Sequence, residues 1–164
     1  MDYIKFIRSK VGHERIFITC ASILIQREDG KVLVETRTDN GMHAFPGGCQ
    51  ELDETIEQTA LREAKEETGL DVHIVKNLGF IERFNFSWPN GDKAHTIVFA
   101  YLAYPTKGQK EKITDGESTS LKWMDLKEAL NICFKFEGED LINLYSSPVS
   151  YTHLRAHETG RNLV

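Results

Sequence analysis

The chain has 164 residues, which is enough for one domain with a hydrophobic core and too few for two of ordinary size. Its 40% hydrophobic and 27% charged residues are typical of a globular domain, and no apolar run reaches membrane-spanning length. A net charge of -5 argues against a protein that binds nucleic acid through a general basic face. A small anionic substrate is not excluded, because a bound divalent cation can reverse the charge of a local site.

The N-terminus and the cysteines indicate the compartment. The first ten residues mix charged side chains into the apolar ones, so they lack the uninterrupted apolar core of a signal peptide. Cys20, Cys49 and Cys133 have no metal-type spacing and cannot all pair with one another. We therefore predict a reduced, cytoplasmic chain. We interpret Cys49 as a loop residue rather than a reactive thiol, because nothing near it in sequence marks an activated thiolate.

The C-terminal stretch, residues 149–164, differs in character from the rest. Its beginning, VSYTHLRAHET, resembles the translation of a sequencing adapter fused to a reading frame. We therefore expect one domain over residues 1–148, with a truncated C-terminal helix, followed by a non-native tail. The alternative is a genuine polar tail, and we assign the stretch no function in either case.

The first predicted elements are a helix and two strands. Apolar residues at helical spacing predict a short N-terminal helix from Tyr3 that ends at Gly12. Residues 15–26 and 31–37 are typical of strands, and the turn sequence Glu-Asp-Gly between them predicts a hairpin. Asn40-Gly41 marks a further turn.

A glycine-rich loop, Phe45-Pro46-Gly47-Gly48, comes next and leads into a helix. Thr55 and Gln58 form a capping-box pattern at the start of this helix, and Gly69 is a natural stop. The loop glycines allow the backbone to approach a ligand closely.

The second half of the chain is dominated by strands. Residues 72–86 and 94–104 predict two long strands around a turn at 88–92, and residues 120–124 a shorter one. Helices are predicted over residues 125–132, with Asp125 as a cap, and over residues 139–145. Strands on both sides of one central helix indicate an α+β fold with a mixed β-sheet and helices packed on it.

Three glutamates of the central helix carry the chemistry. Glu63, Glu66 and Glu67 stand at positions i, i+3 and i+4, so they project from one side within about one turn. Their mutual repulsion and the helix dipole make this arrangement locally unfavourable, whereas a bound Mg²⁺ or Mn²⁺ ion would reverse the balance. The alternative is a solvated charged face, with Arg62 and Lys65 offsetting the glutamates.

The context of these glutamates favours a site. The opposite side of the helix carries Ile56, Ala60 and Ala64, which would anchor it on a sheet. The stretch from Gly48 through Glu54 to Arg62-Glu63-Ala64-Lys65-Glu66-Glu67-Thr68-Gly69-Leu70 resembles the complete Nudix box, G-x5-E-x7-R-E-U-x-E-E-x-G-U, where U is apolar. All nine specified positions match. The resemblance implies a Nudix-type α/β/α sandwich with the catalytic loop and helix packed on the mixed sheet.

The resemblance also implies an activity and roles for the motif residues. Nudix enzymes hydrolyse a nucleoside diphosphate linked to another group, by attack of water on phosphorus with the help of Mg²⁺ or Mn²⁺. By position, the metal ligands would be Glu63, Glu66 and Glu67, with the carbonyl of Gly47. Arg62 would orient a glutamate, and Glu54 would support the junction of loop and helix or touch metal through water.

Candidate residues outside the box are less tightly specified. Arg37 stands where related enzymes hold a phosphate-binding arginine, with an exposed strand-end charge as the alternative. Glu117 stands where some members place a glutamate that binds metal or acts as a base, with an acidic turn as the alternative. The general base therefore stays open between Glu63 and Glu117. Phe86 and Trp88 are candidates to stack on a nucleobase, although Trp88 would also suit the end of a hairpin.

The substrate and the assembly are left open by the sequence. His43 occupies a position where similar sequences carry a tryptophan, so base stacking there is in doubt. We expect a small nucleotide-type substrate, no membrane and no nucleic-acid partner, and we leave open whether the chain forms a homodimer. The competing interpretations are a silent Nudix module that senses a nucleotide and an acidic metal-binding protein without catalysis. The first would ordinarily lose box glutamates, and the second does not explain the glycine loop.

Overall fold

The computed structural model describes residues 3–88, 90–114, 116–133 and 143–144. The elements follow in the order α1 (Tyr3–Val11), β1 (Ile16–Ile25), β2 (Val32–Arg37), β3 (His43–Ala44), β4 (Gly47–Cys49), α2 (Ile56–Thr68), β5 (Val72–Ser87), β6 (Lys93–Pro105), β7 (Ser118–Met124) and α3 (Leu126–Cys133). No helix within the described ranges is long and apolar enough to span a membrane. The predicted tail and all but residues 143–144 of the last predicted helix lie outside these ranges.

The strands form two sheets. The larger has the order β4-β1-β6-β5 and the smaller the order β3-β2-β7. The larger sheet is mixed, because β1 runs parallel to β6 over its whole length while β4 and β5 pair antiparallel with their neighbours. The α+β class with a mixed sheet is thereby confirmed, and so are the long hairpin of β5 and β6 and the predicted helices that correspond to α1 and α3.

The predicted hairpin of β1 and β2 is wrong. The two strands follow each other in sequence but belong to different sheets, and the bridge that joins them directly is Gln26 to Val32. The end of β1 is buried on both faces, since Ile23 and Ile25 pack towards α2 while Leu24 packs towards α3. Such a strand belongs in the centre of a sheet, and β1 accordingly lies between β4 and β6.

The predicted glycine loop is partly a strand. Gly47, Gly48 and Cys49 form β4, which pairs antiparallel with β1 so that Gly47 lies opposite Ser22. A Cβ atom on Gly47 would stand 2.2 Å from the backbone oxygen of Ala21, so no larger residue fits without moving the backbone. Glycine therefore lets the segment lie directly against β1.

The core has two parts, one on each face of the larger sheet. Ala60 and Ala64 of α2 are fully buried and pack with Ala21, Leu70 and Tyr101. On the other face, the second cluster joins the sheets to α3 through a different set of residues: Leu24, Val34, Phe45, Leu102 and Leu130. Because small alanines let α2 approach the sheet closely, the carboxylate edge of this helix comes to lie beside β4.

Candidate active site

The ends of α2 fix how its carboxylates are presented. The Thr55 hydroxyl accepts a hydrogen bond from the Gln58 backbone at 3.2 Å, and the Gln58 side chain accepts one from the Thr55 backbone at 2.7 Å. At the other end, Gly69 adopts a left-handed conformation with φ of 71°, and its N–H donates to the Lys65 carbonyl at 3.0 Å. The predicted capping box and stop are both confirmed, so the helix begins and ends where the motif requires.

Arg62 is the hub of the acidic network. Its guanidinium donates to both carboxylate oxygens of Glu54, at 2.8 and 3.1 Å. It also donates to Glu63 at 2.8 Å and to Glu66 at 2.9 Å. A further bond of 3.1 Å reaches the carbonyl of Cys49 in β4. One arginine thus ties together three motif glutamates and the strand that faces them.

Glu54 fastens the loop after β4 to the helix. Besides Arg62, its carboxylate accepts hydrogen bonds from the Glu51 backbone and the buried Thr59 hydroxyl, both at 2.8 Å. The guanidinium of Arg62 lowers the pKa of Glu54 to about 2. Glu54 therefore remains ionised at any pH where the protein is expected to act.

Glu63 and Glu67 lie against the glycines of β4. The Glu67 side chain is buried, with 2% exposure, and accepts a hydrogen bond from the Gly47 backbone at 2.8 Å. A Cβ atom on Gly48 would stand 2.2 Å from a carboxylate oxygen of Glu63, so Glu63 fills the space that glycine leaves open. Burial raises the pKa of Glu63, even though Arg62 opposes the shift.

Glu66 is the most exposed of the three glutamates on this side of α2. Its side chain is 53% exposed, in contrast to that of Glu67. The backbone on this side of α2 supports the loop between β6 and β7. The Thr114 hydroxyl donates to the Glu66 carbonyl, and the Lys112 backbone donates to the Thr68 carbonyl at 2.8 Å. This loop leads directly to Glu117.

Glu117 and Arg37 approach the same region from the smaller sheet. The backbone carbonyl of Glu117 accepts a hydrogen bond from the Thr38 backbone at 2.7 Å. The negative charge of the Glu117 side chain contributes to the raised pKa of Glu63. Arg37 donates to Asp39 at 3.0 and 3.2 Å, which is the main reason that its pKa is raised. The charge of Glu67 adds to that effect. Both predicted residues are therefore within electrostatic reach of the α2 carboxylates.

Phe86 and Trp88 lie farther away. Their rings meet edge to face with centroids 4.6 Å apart, and the Arg83 guanidinium lies 5.5 Å from the Phe86 ring centroid. Phe86 pairs with Ala94 of β6, whereas Cys49, at the near end of β4, is level with Val98 of β6. The four residues from Ala94 to Val98 span about 13 Å along the strand. The pair is thus not brought against the carboxylates.

The donor set of this region fits a hard divalent cation. Across the described residues, no three His, Cys, Asp or Glu side chains converge on one point. The carboxylates of Glu63 and Glu66 are instead held by Arg62, and that of Glu67 by a backbone N–H. They are oxygen donors only, and they project from one side of a helix that lies beside β4.

Several residues of this region were missed in the sequence. Thr59, which holds Glu54, and Thr114, which ties the β6–β7 loop to α2, lie in no recognisable pattern. His43 bonds through Nδ1 to the Thr36 hydroxyl at 3.1 Å, a contact that links β2 and β3. Thr114 contacts a segment distant in sequence, and His43 contacts a neighbouring strand, so local spacing could not reveal them. Thr59 contacts the loop just before α2, which helical periodicity does not cover.

Known proteins with similar sequences and folds point to one family. The model of the NUDIX domain matches residues 17–145. A MutT-like protein from Streptomyces ambofaciens is 29% identical over 90% of this chain and 86% of its own length. An ADP-ribose pyrophosphatase from Methanocaldococcus jannaschii is 31% identical over 69% of this chain and 65% of its own length.

A solved structure agrees with these relatives. The MutT protein from Methanosarcina mazei superimposes with a TM-score of 0.58 and 27% identity, covering 72% of this chain and 83% of that one. Some relatives, from Caenorhabditis elegans and Arabidopsis thaliana, are longer, and the chain spans 38% to 46% of their length. The match of the domain over most of the chain, together with the motif helix packed on its glycine strand, establishes that the chain belongs to the Nudix family of hydrolases.

Proposed function

We propose that this chain is a metal-dependent hydrolase that cleaves a phosphoanhydride bond in a nucleoside diphosphate linked to another group. The observation that carries the proposal is that Glu63, Glu66 and Glu67 share one side of α2 beside β4. Arg62 holds the first two, and the Gly47 N–H holds the third. The name of the Methanocaldococcus jannaschii relative, an ADP-ribose pyrophosphatase, supports this class of substrate. Water attacks phosphorus, the bridging P–O bond breaks, and two phosphate-containing products leave.

The proposed metal ligands are Glu63, Glu66 and Glu67, with the carbonyl of Gly47. A bound Mg²⁺ or Mn²⁺ ion would neutralise phosphate charge and activate the attacking water. Arg62 keeps Glu63 and Glu66 in place through charge-assisted hydrogen bonds, and it anchors them to Glu54. The buried Glu67 is held by β4, so the strand and the helix position the ligands jointly.

Substrate binding is proposed to involve both sheets. Arg37, whose pKa is affected by the charge of Glu67, would bind a phosphate of the substrate. Phe86 and Trp88 would contact the nucleobase, because the distance of about 13 Å from the level of β4 suits the far end of an extended nucleotide. These assignments place the phosphates of the substrate near Arg37 and its nucleobase near Phe86 and Trp88.

The general base is proposed to be either Glu63 or Glu117. Glu63 already bonds Arg62, whereas Glu117 is exposed on the loop that α2 supports. Glu117→Gln distinguishes the two: if Glu117 is the base, kcat falls by about a hundredfold or more while KM changes little. An unchanged kcat assigns the role to Glu63.

The function is tested with a panel of nucleoside triphosphates, ADP-ribose, dinucleoside polyphosphates, NADH and sugar nucleotides, each with Mg²⁺ or Mn²⁺. We expect turnover of at least one compound, and its loss on addition of a chelator. Glu66→Gln and Glu67→Gln should each lower kcat by about a hundredfold or more. Glu57→Gln, an exposed glutamate on the same helix, is the matched control and should retain activity.

Two results would contradict the proposal. Full activity of both Glu66→Gln and Glu67→Gln would refute the metal-ligand assignment. Tight nucleotide binding without turnover of any compound on the panel would identify a nucleotide sensor in place of an enzyme.

A further inference from the structure

Two cysteine side chains meet across the strands that form the floor of the candidate site. Cys20 of β1 lies directly opposite Cys49 of β4, and their sulfur atoms are 3.6 Å apart. Cys49 belongs to the Nudix box, whereas Cys20 stands 29 residues earlier. Both residues are partly exposed.

The register of the two strands suits a covalent bond between these residues. Gln50 donates to the carbonyl of Thr19 at 2.9 Å, and Ile23 donates to that of Pro46 at 2.8 Å. Hydrogen-bonded pairs alternate along an antiparallel ladder, so Cys20 and Cys49 form a non-hydrogen-bonded pair. Opposite Cα atoms in such pairs lie about 4.5 Å apart, which is within the range that a disulfide spans.

We propose that Cys20 and Cys49 are a reversible redox pair, which a hydroperoxide converts into a cross-strand disulfide that lowers the activity of the neighbouring site. One thiol sulfur attacks a peroxide oxygen, the O–O bond breaks, and the thiol proton leaves with the released hydroxide as water. The second thiol then attacks the resulting sulfenic acid. The S–S bond forms, the S–O bond breaks, and a second water departs, so two thiols are oxidised and one hydrogen peroxide is reduced.

The effect on the site follows from what β4 holds. Disulfide formation shortens the distance between the two sulfur atoms from 3.6 Å to about 2.05 Å. The backbones of β1 and β4 have to shift to allow this. The same three-residue strand donates its Gly47 N–H to Glu67 and offers its Cys49 carbonyl to Arg62. A displacement of about 1 Å at catalytic groups can cost a hundredfold in rate. This loss of activity rests on the proposed function, whereas formation of the disulfide does not.

The third cysteine provides an internal control. Cys133 is buried at the end of α3, in the core cluster that joins the sheets to this helix. The proposal assigns it no part in the reaction. Cys133→Ala should therefore react like the wild type, whereas Cys20→Ser removes one partner and leaves the Nudix box intact.

The experiment treats the full chain, Cys133→Ala and Cys20→Ser with hydrogen peroxide. Intact mass and peptide mapping identify the products, and hydrolase activity is measured before oxidation, after it and after dithiothreitol. We expect the first two proteins to lose two hydrogen atoms and to yield a peptide cross-linked between Cys20 and Cys49. Their activity should fall about tenfold or more and recover with dithiothreitol. Cys20→Ser should form no cross-link and keep its activity.

Each part of the proposal has its own refutation. Absence of the cross-linked peptide, or conversion of either cysteine to sulfinic acid instead, overturns the redox pair. A disulfide that leaves activity unchanged overturns the regulatory effect, and so does an equal loss of activity in Cys20→Ser. If no substrate is turned over, the proposed function fails, but the peptide map still decides whether the disulfide forms.

Discussion

At the scale of single residues, two adjacent glycines of β4 meet different neighbours. A Cβ atom at Gly47 would collide with backbone atoms of Ala21 and Ser22, at 2.2 and 2.9 Å. A Cβ atom at Gly48 would collide with the carboxylate of Glu63, at 2.2 Å. A carboxylate at the end of a side chain can move aside, whereas the backbone of a central strand cannot do so cheaply.

This difference predicts opposite effects for two otherwise matched substitutions. Gly48→Ala should displace Glu63 and lower kcat by about tenfold to a hundredfold, with little change in the free energy of unfolding. Gly47→Ala should lower the free energy of unfolding by about 2 kcal/mol or more, because the clash is with backbone. Urea denaturation and steady-state kinetics on both variants measure the contrast. A stable, fully active Gly48→Ala would contradict the close packing of Glu63 on β4.

The sequence could predict those residues whose relation depends on one helix. The spacing of Glu63, Glu66 and Glu67 determines that they share a side, because helical periodicity is local. The sequence could not predict that Cys20 lies opposite Cys49, because that contact depends on which strands pair and in which register. The sequence accordingly predicts a loop residue at Cys49, whereas Cys49 lies in β4 and its side chain contacts a second thiol across the ladder.

At the scale of elements, the helices depend on local sequence, whereas the pairing of the strands depends on contacts between distant segments. The bounds of α2 follow from the capping residues directly before and after it, Thr55 and Gly69, and the sequence predicts both. The sequence does not predict the pairing of β1, because a turn after a strand does not reveal whether the chain returns to the same sheet or crosses to another. The central position of β1 in the larger sheet follows from its burial on both faces. That burial depends on α2 and α3, which come later in the chain.

The capping box of α2 predicts a change in stability without a change in chemistry. Thr55→Ala removes the acceptor for the Gln58 backbone and should lower the free energy of unfolding by about 1 kcal/mol. Because Thr55 is exposed and bonds none of the proposed metal ligands, kcat should stay within about twofold of the wild type at a temperature where both proteins are folded. Thr55→Ser, which keeps the hydroxyl, is the control and should retain most of the stability. A large loss of kcat without loss of stability would contradict a purely structural role.

At the scale of the whole molecule, the candidate site lies where three parts of the chain meet. These are β4, the carboxylate side of α2, and the loop before β7 that carries Glu117. Arg62 and Glu54 join the first two of these parts, so the network that organises the carboxylates also holds the loop after β4 on the helix. Disturbing this network should therefore affect global stability as well as activity.

The pH dependence of unfolding tests that connection through Glu54. Arg62 holds the pKa of Glu54 at about 2 in the folded protein, against an ordinary value of 4.5. A lowered pKa means that the stabilisation is fully present above about pH 4.5 and is lost as the pH falls through about 2. Its size is at most about 3 kcal/mol. Glu54→Gln keeps the shape of the side chain but cannot ionise. Urea denaturation should therefore find it less stable than the wild type at pH 6, with a difference that persists down to about pH 4.5 and then shrinks towards pH 2.5. A difference that stays constant over this range would mean that the charge of Glu54 does not stabilise the fold.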